Sequence, residues 1–234
     1  MSFSTKYRLV KLNEVAAVTS DRVLPFDGLR AYIATADVQD GDIVGKTDIT
    51  FEGRPSRADV LVKTEDVIFA RMQNTQKVLQ INAKYSDYVF STGFAVCRPT
   101  KQILPDYLRY WFLSDYFNNL KDSYCTGSTQ KAISNSGIEK LIIPLPSLET
   151  QRKIVLLLSD VEHIKKLRLQ AEFRMKQFIP ALFNKMFGNP AFNEKPMENA
   201  KDQRYWNSKN WKHSPTNRRE FYGDEIEWIK SDNI

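Results

Sequence analysis

Between Ser147 and Gly188 the chain has no internal glycine and a single proline, Pro180, and its apolar residues recur every seven positions. With Ile154 at the first core position, one series runs Ile154, Val161, Arg168, Met175 and Leu182. Its companion runs Leu157, Ile164, Ala171, Phe178 and Lys185. Eight of these ten are apolar over more than four heptads, the pattern of a coiled-coil seam rather than of an ordinary amphipathic helix. Ser147 can cap the start, Glu149 suits the positive end of the helix dipole, and Gly188 suits the stop. Pro180 predicts a kink or an interruption near the C-terminal end. A helix of this length spans roughly 60 Å at ~1.5 Å per residue. A small domain cannot cover so long a seam. It demands a partner helix.

The preceding residues read as short strands, turns and a few helices. Arg30–Val38 is strand-like and stops at the turn Gln39-Asp40-Gly41-Asp42; Val60–Lys63 and the buried-strand candidate Val67–Ala70 follow. Tyr88–Phe90 and Gly93–Cys97 suggest a strand pair. Pro105 fits the first position of a helix, on which Leu104, Leu108, Trp111 and Phe112 share one face, extended by Tyr116. These aromatics read as core in preference to a stacking platform. Leu141–Pro146 closes the domain as a strand running into prolines. The expected fold class is α+β: a mixed, partly antiparallel sheet domain with flanking helices over residues 1–146, then a long coiled-coil helix over 147–188. Residues 189–234 read as a polar linker leading into a further, incomplete element.

Charge divides unevenly along this plan. Residues 1–146 carry 18 Lys/Arg against 16 Asp/Glu, residues 147–188 carry 8 against 4, and the remainder 8 against 8. The net charge of +6 favours an anionic partner such as nucleic acid without excluding an ordinary soluble protein. No run of 18 apolar residues is present, which predicts no membrane-spanning helix. The charged N-terminus lacks an apolar core behind it, so the chain reads as cytoplasmic. Two cysteines and two histidines (His163, His213) predict neither a disulfide framework nor a metal site.

Lys46, Arg54, Arg57, Arg71, Lys77 and Lys84 recur among loops with Gln73, Asn74 and Gln76. Arg and Lys hold phosphates and read guanine edges, and Asn and Gln pair bidentately with adenine. A solvated surface is the competing reading. The loop Thr126-Gly127-Ser128-Thr129-Gln130-Lys131 is small, polar and basic, suited to phosphate or base contact, or simply a turn. Asn189-Pro190-Ala191-Phe192 resembles the motif that holds a target amino group in amino-methyltransferases, but its third residue is alanine and no glycine-rich cofactor turn precedes it. Neither histidine lies beside a nucleophile in sequence, and no nucleophile elbow is present. No catalytic residue is expected.

One stretch is specific to a family. Gly127–Ser134 followed by Ile138–Ile154, with Pro144-Leu145-Pro146-Ser147-Leu148-Glu149-Thr150-Gln151-Arg152-Lys153-Ile154 at its core, resembles the specificity subunits of type I restriction–modification systems. There a Pro-Leu-Pro-x-Leu-x-x-Gln-x-x-Ile segment joins a target recognition domain to its long helix. Thr64–Arg71 resembles the family's strand entry, with Glu65-Asp66 in place of the usual Gly-Asp. Ser91–Val96 and the Tyr107–Phe117 helix fall in the expected order. Trp228–Ile234 parallels Tyr32–Val38 at five of seven positions, so the chain resembles one copy of domain plus helix followed by the opening of a second.

The resemblance implies a non-catalytic subunit that reads a half-site in double-stranded DNA and docks methyltransferase and restriction subunits. S-adenosylmethionine, ATP and Mg are then expected on those partners, with no cofactor or metal on this chain. DNA contacts are expected from Arg54, Arg57, Arg71, Gln73, Asn74, Lys77, Ser128, Thr129, Gln130 and Lys131. With one helix per chain, a homodimer is expected through Ile154, Leu157, Val161, Ile164, Ala171, Met175, Phe178 and Leu182, and a two-fold dimer reads an interrupted palindrome. A helix of roughly 60 Å, against ~34–36 Å per DNA turn, permits half-sites about one to one and a half turns apart. Three readings compete: a coiled-coil protein-binding adaptor, a stand-alone methyltransferase, and an inactive truncated specificity fragment.

Overall fold

A computed structural model describes residues 7–128 and 130–188. The tail expected to be a linker and a second domain's start lies outside these residues, as does Thr129. The described chain opens with β1 (Leu9–Lys11), the single turn α1 (Leu12–Val15) and β2 (Ala16–Thr19). It continues through β3 (Arg30–Ile33), β4 (Val38–Gln39), β5 (Asp42–Ile43), β6 (Thr47–Ile49), β7 (Ala58–Val60) and β8 (Val67–Ala70). Next come β9 (Val78–Gln80), β10 (Val89–Ser91), β11 (Phe94–Pro99), α2 (Pro105–Phe112) and α3 (Asp115–Ser123). The described chain closes with β12 (Cys125–Thr126), β13 (Ala132–Ile133), α4 (Asn135–Ile138), β14 (Ile142–Pro144) and α5 (Leu148–Phe187). This is the expected α+β class.

Two four-stranded sheets, ordered β6-β3-β10-β7 and β2-β11-β8-β9, form the frame. Their pairs are antiparallel except for β3 and β10, which run parallel. The two-residue side-chain period of a strand divides the apolar residues between cores. On β8, Val67 and Phe69 enter a core shared with α2, α3 and the start of α5, while Ile68 and Ala70 enter a second core with Ile33 and Phe90. β11 repeats the division, with Ala95 and Cys97 on one side and Phe94 and Val96 on the other. Both faces of β8 are buried, which explains its continuous Val-Ile-Phe-Ala run.

Four local expectations change. The strand expected over Val60–Lys63 lies earlier, at Ala58–Val60, and Leu61, Val62 and Lys63 stand outside any strand. Tyr88–Phe90 and Gly93–Cys97 are not a pair: β10 and β11 belong to different sheets, and the chain crosses between them at Thr92-Gly93. A Cβ on Gly93 would come within 2.8 Å of Thr35 Cγ2, so a side chain at this crossing would force Thr35 to shift. The strand expected over Arg30–Val38 breaks after Ile33 into a 3-10 turn, where Asp37 Oδ2 accepts from Ala34 N at 2.8 Å. Tyr116 does not extend the Pro105 helix, because Ser114 caps a new one, its hydroxyl accepting from Phe117 N at 3.2 Å. Leu108 and Phe112 are buried and Trp111 packs beside them, so this aromatic face belongs to the core.

The chain divides into two compact units at Ala171/Glu172. In the first, α5 begins as expected: Thr150 N donates to Ser147 Oγ at 3.3 Å, and Glu149 stands in the first turn. Gln151 is fully buried, accepting from Leu104 N at 2.8 Å and donating to the carbonyls of Gln102 and Pro146, both at 3.0 Å. Three turns on, Glu162 takes both arms of Arg109 at 3.2 and 2.6 Å and the Tyr110 hydroxyl at 2.9 Å. Ile154 and Val155 lie between these anchors and pack on the domain core. Ile154 is therefore partly taken up by the domain core. Leu157, Val161 and Ile164 are exposed. In the second unit, described over 172–188, Met175, Phe178 and Leu182 are exposed as well. The helix runs through Pro180 without the expected interruption and ends at Gly188, whose φ of 75° and 2.9 Å bond from its N–H to Asn184 O make a left-handed stop.

Candidate nucleic-acid interface

The expected DNA-contacting residues come from three separate stretches, and backbone hydrogen bonds stitch these together. The hairpin joining β8 and β9 carries Arg71, Gln73, Asn74 and Lys77; its strands pair Phe69 with Val78, and Ala70 N donates to Lys77 O at 2.9 Å. The turn joining β12 and β13 carries Ser128, Gln130 and Lys131. Gln73 N donates to Lys131 O and Ile133 N to Arg71 O, each at 2.9 Å, and Met72 bridges to Ala132. Two loops more than fifty residues apart thus form one edge. Arg57, just before β7, joins it through the crossing turn: Thr92 N donates to Arg57 O and Arg71 N to Gly93 O, both at 2.9 Å.

Glycine and left-handed geometry shape both loops. Asn74 has φ 55°, a region that Asn tolerates better than most side chains. Gly127 has φ 134°, and a Cβ there would meet Gln130 O at 2.6 Å, so this turn requires glycine.

The side chains separate into two groups. Arg57, Asn74, Ser128, Gln130 and Lys131 are exposed, and no hydrogen bond among the described residues engages their side-chain polar atoms. The second group is turned inward. Arg71 is half-buried, donating from Nε to Phe94 O at 3.0 Å and from Nη1 to Ile133 O at 3.4 Å; burial lowers its pKa, opposed by the Cys97 thiol. It ties the hairpin to β11 and β13. Lys77 donates to Ala36 O at 3.2 Å. Arg54 stacks 3.9 Å from the Phe51 ring centroid, donates to Phe51 O at 2.6 Å and stands 3.8 Å from Asp59. Gln73 is half-buried, with its amide unengaged among the described residues. Thr129 lies outside the described residues.

Residues that sequence reasoning missed hold the hairpin from behind. Lys121, near the end of α3, is 1% exposed, and its ammonium donates to Met72 O at 2.9 Å and Thr75 O at 2.7 Å. Asp122 Oδ2 accepts from Asn74 N at 3.1 Å. The Gln76 side-chain amide donates to Leu113 O. A signal was present: Lys121 follows Phe117 by four residues, on the buried face of α3. Arg109 and Glu162, which help to seat α5, are 53 residues apart and leave no local pattern, whereas Gln151 stands in the Pro144–Ile154 segment that the sequence singles out. The arrangement offers hydrogen-bond donors, acceptors and two positive charges, Arg57 and Lys131, at a shaped edge. It offers no nucleophile with a neighbouring base among the described residues.

The turn before β8 carries a further particular. Glu65 sits at φ 73°, the left-handed region that suits glycine. Asp66 is buried and clasped by Arg98 at 2.8 and 2.9 Å.

Comparison with known proteins gives a consistent result. Residues 6–173 match the model of the type I restriction modification DNA specificity domain. The chain is 25% identical over 162 residues to the type I restriction enzyme HindI specificity subunit of Haemophilus influenzae, covering 67% of this chain and 35% of that protein. It is similar to a chain of a solved type I R-M system, with 26% identity and a TM-score of 0.61, over 81% of this chain and 52% of the other. It is also similar to the HsdS subunit from Thermoanaerobacter tengcongensis, with 27% identity and a TM-score of 0.60, over 81% and 51%. The chain thus spans between a third and a half of the length of these relatives. Among the described residues no helix is long and apolar enough to cross a membrane.

Proposed function

Because this chain belongs to the type I restriction modification DNA specificity family, we propose that its first unit reads a short half-site in double-stranded DNA. The observation that carries the reading is the single edge built from the β8–β9 hairpin, the β12–β13 turn and Arg57. It presents Arg57, Asn74, Ser128, Gln130 and Lys131 with unengaged side chains. Arg57 and Lys131 supply phosphate or guanine contacts, and Asn74 and Gln130 have the paired donor and acceptor that match adenine. Thr129 belongs to the same turn by sequence. Arg71, Lys77 and Arg54, turned inward, shape the loops that carry the contacts.

Catalysis belongs to partner subunits in this reading. A methyltransferase subunit supplies S-adenosylmethionine chemistry, and a restriction subunit supplies ATP- and Mg-dependent cleavage. The chain self-associates through α5, where Leu157, Val161 and Ile164, and separately Met175, Phe178 and Leu182, leave apolar side chains exposed. A partner helix is their natural cover. A two-fold dimer then reads an interrupted palindrome.

The test is the methylome of a modification-free host that expresses this chain with its cognate methyltransferase subunit. A new interrupted palindromic motif is the expected result. No new methylation, with both proteins soluble, would refute the reading in favour of an inactive fragment or a protein-binding adaptor. Salt separates the adaptor further, since binding through several phosphates weakens steeply between low and moderate salt.

A further inference from the structure

The β8–β9 hairpin owes its shape to α3. A lysine side chain at 1% exposure is a costly thing to keep in a domain this size. It is retained with its donors committed: the Lys121 ammonium donates to Met72 O at 2.9 Å and Thr75 O at 2.7 Å, and stands 3.4 Å from Asp122 Oδ1. That carboxylate oxygen is shielded and accepts no hydrogen bond, while its companion, Oδ2, takes Asn74 N–H at 3.1 Å. Two adjacent residues of one helix therefore grip the loop at three backbone points: carbonyl 72, amide 74 and carbonyl 75. Gln73 and Asn74 lie within that grip, and Asn74 is held at φ 55°, in the sparsely populated left-handed region.

A buried ion pair contributes little net stability compared with apolar residues of the same volume, and its best use is to specify one geometry over others. The geometry specified here is that of the loop tip. Hydrogen-bond readout of a base edge is exacting, and a carrier loop fixed in advance discriminates better than one that reshapes itself around either base. We propose that Lys121 and Asp122 are positioning residues for base discrimination: without touching DNA, they hold the Gln73–Asn74 tip in the one conformation that accepts the correct base pair. The inference rests on the DNA-reading function proposed above.

The test uses the full chain with its methyltransferase subunit, selecting from a randomised duplex library, first for the wild type and then for Lys121→Met and Asp122→Ala. Thermal melting establishes which variants fold. Asp122→Ala is the safeguard, since its side chain is less deeply placed and removes one grip while leaving Lys121. The expected result is a loss of at least tenfold in discrimination at one or two base pairs of the half-site. The remaining positions, and binding to random DNA with its salt slope, stay unchanged. A merely structural role would lower all affinities together and leave the selected motif intact. A wild-type motif that persists at every position in a folded variant overturns the positioning role alone. A wild type that selects no motif overturns the DNA-reading function, and this inference with it.

Discussion

Replacing Gln151 with alanine removes the hinge pin between the recognition domain and its helix, and the structure allows the cost to be worked out. The side chain is fully buried and makes three hydrogen bonds, to Leu104 N, Gln102 O and Pro146 O, at 2.8, 3.0 and 3.0 Å. At about 1 kcal/mol net for each bond, their loss costs about 3 kcal/mol, and the polar groups left dry raise this toward 4. Water entering the space vacated offsets part of it, so we expect about 3 kcal/mol. That is a large share of the ~5–15 kcal/mol typical of a domain. With a urea slope of about 2 kcal/mol per molar, the midpoint measured by circular dichroism falls by about 1.5 M. Gln151→Glu is the informative companion. It keeps an acceptor for Leu104 N but turns an oxygen toward two carbonyls, so protonation is favoured in the folded state. Its folded pKa then exceeds the unfolded one, and stability present at low pH is lost as pH rises. A midpoint shift below about 0.5 M for Gln151→Ala would refute the reasoning, because it would mean that the three bonds are readily exchanged for water.

Other expectations follow from single sites. Glu162 has its pKa lowered by its hydrogen bond from Arg109, against the opposing effect of burial. It therefore stabilises above the ordinary glutamate value of 4.5, and that contribution fades as pH falls through the lowered folded value. With Glu162 about half exposed, the loss is below about 1 kcal/mol, and the difference between wild type and Glu162→Gln in urea midpoints should vanish at low pH. Glu65→Gly should stabilise by about 0.5–1 kcal/mol, because the relief of a left-handed non-glycine residue outweighs the added freedom of the unfolded chain; an unchanged melting temperature would count against it. Ile164→Asp, on an exposed side chain, should leave the fold's melting temperature within a few degrees and shift sedimentation toward monomer. A sedimentation coefficient unaffected by the change would remove this seam from the assembly.

Some of this structure was legible in the sequence and some was not, for reasons that differ. Val67–Ala70, the Pro105 helix start, the Ser147 cap and the Gly188 stop were readable because each is dictated by a few adjacent residues. The crossing at Thr92-Gly93 was not, since alternation tells a strand which face is buried but not which sheet will receive it. Arg71 was readable as a cation in a polar loop, yet the carbonyls that claim it lie 23 and 62 residues away. Ile154 keeps the heptad pattern, yet it packs partly on the domain core, because the first turns of α5 are seated there. The site's edge combined both kinds. Its loops were chosen correctly as polar and basic, but their meeting, and the grip of Lys121 and Asp122 behind them, is written in pairings far apart along the chain.

The pairing of β1 with β14 has a consequence in time. Leu9 faces Pro144 and Lys11 faces Ile142, with Arg8 O and Leu12 N adding bonds to Leu145 and Leu141. This closes a loop that contains nearly all the rest of the recognition domain, and the entropy of such closure is met only once the intervening contacts have formed. During synthesis β1 must wait for its partner until residues 142–144, near the end of the domain, have appeared. Just beyond β14 comes Gln151, whose contacts with Leu104 and Gln102 seat the start of α5. A chain stalled before residue 142 has neither the β1–β14 pairing nor the seat of the helix.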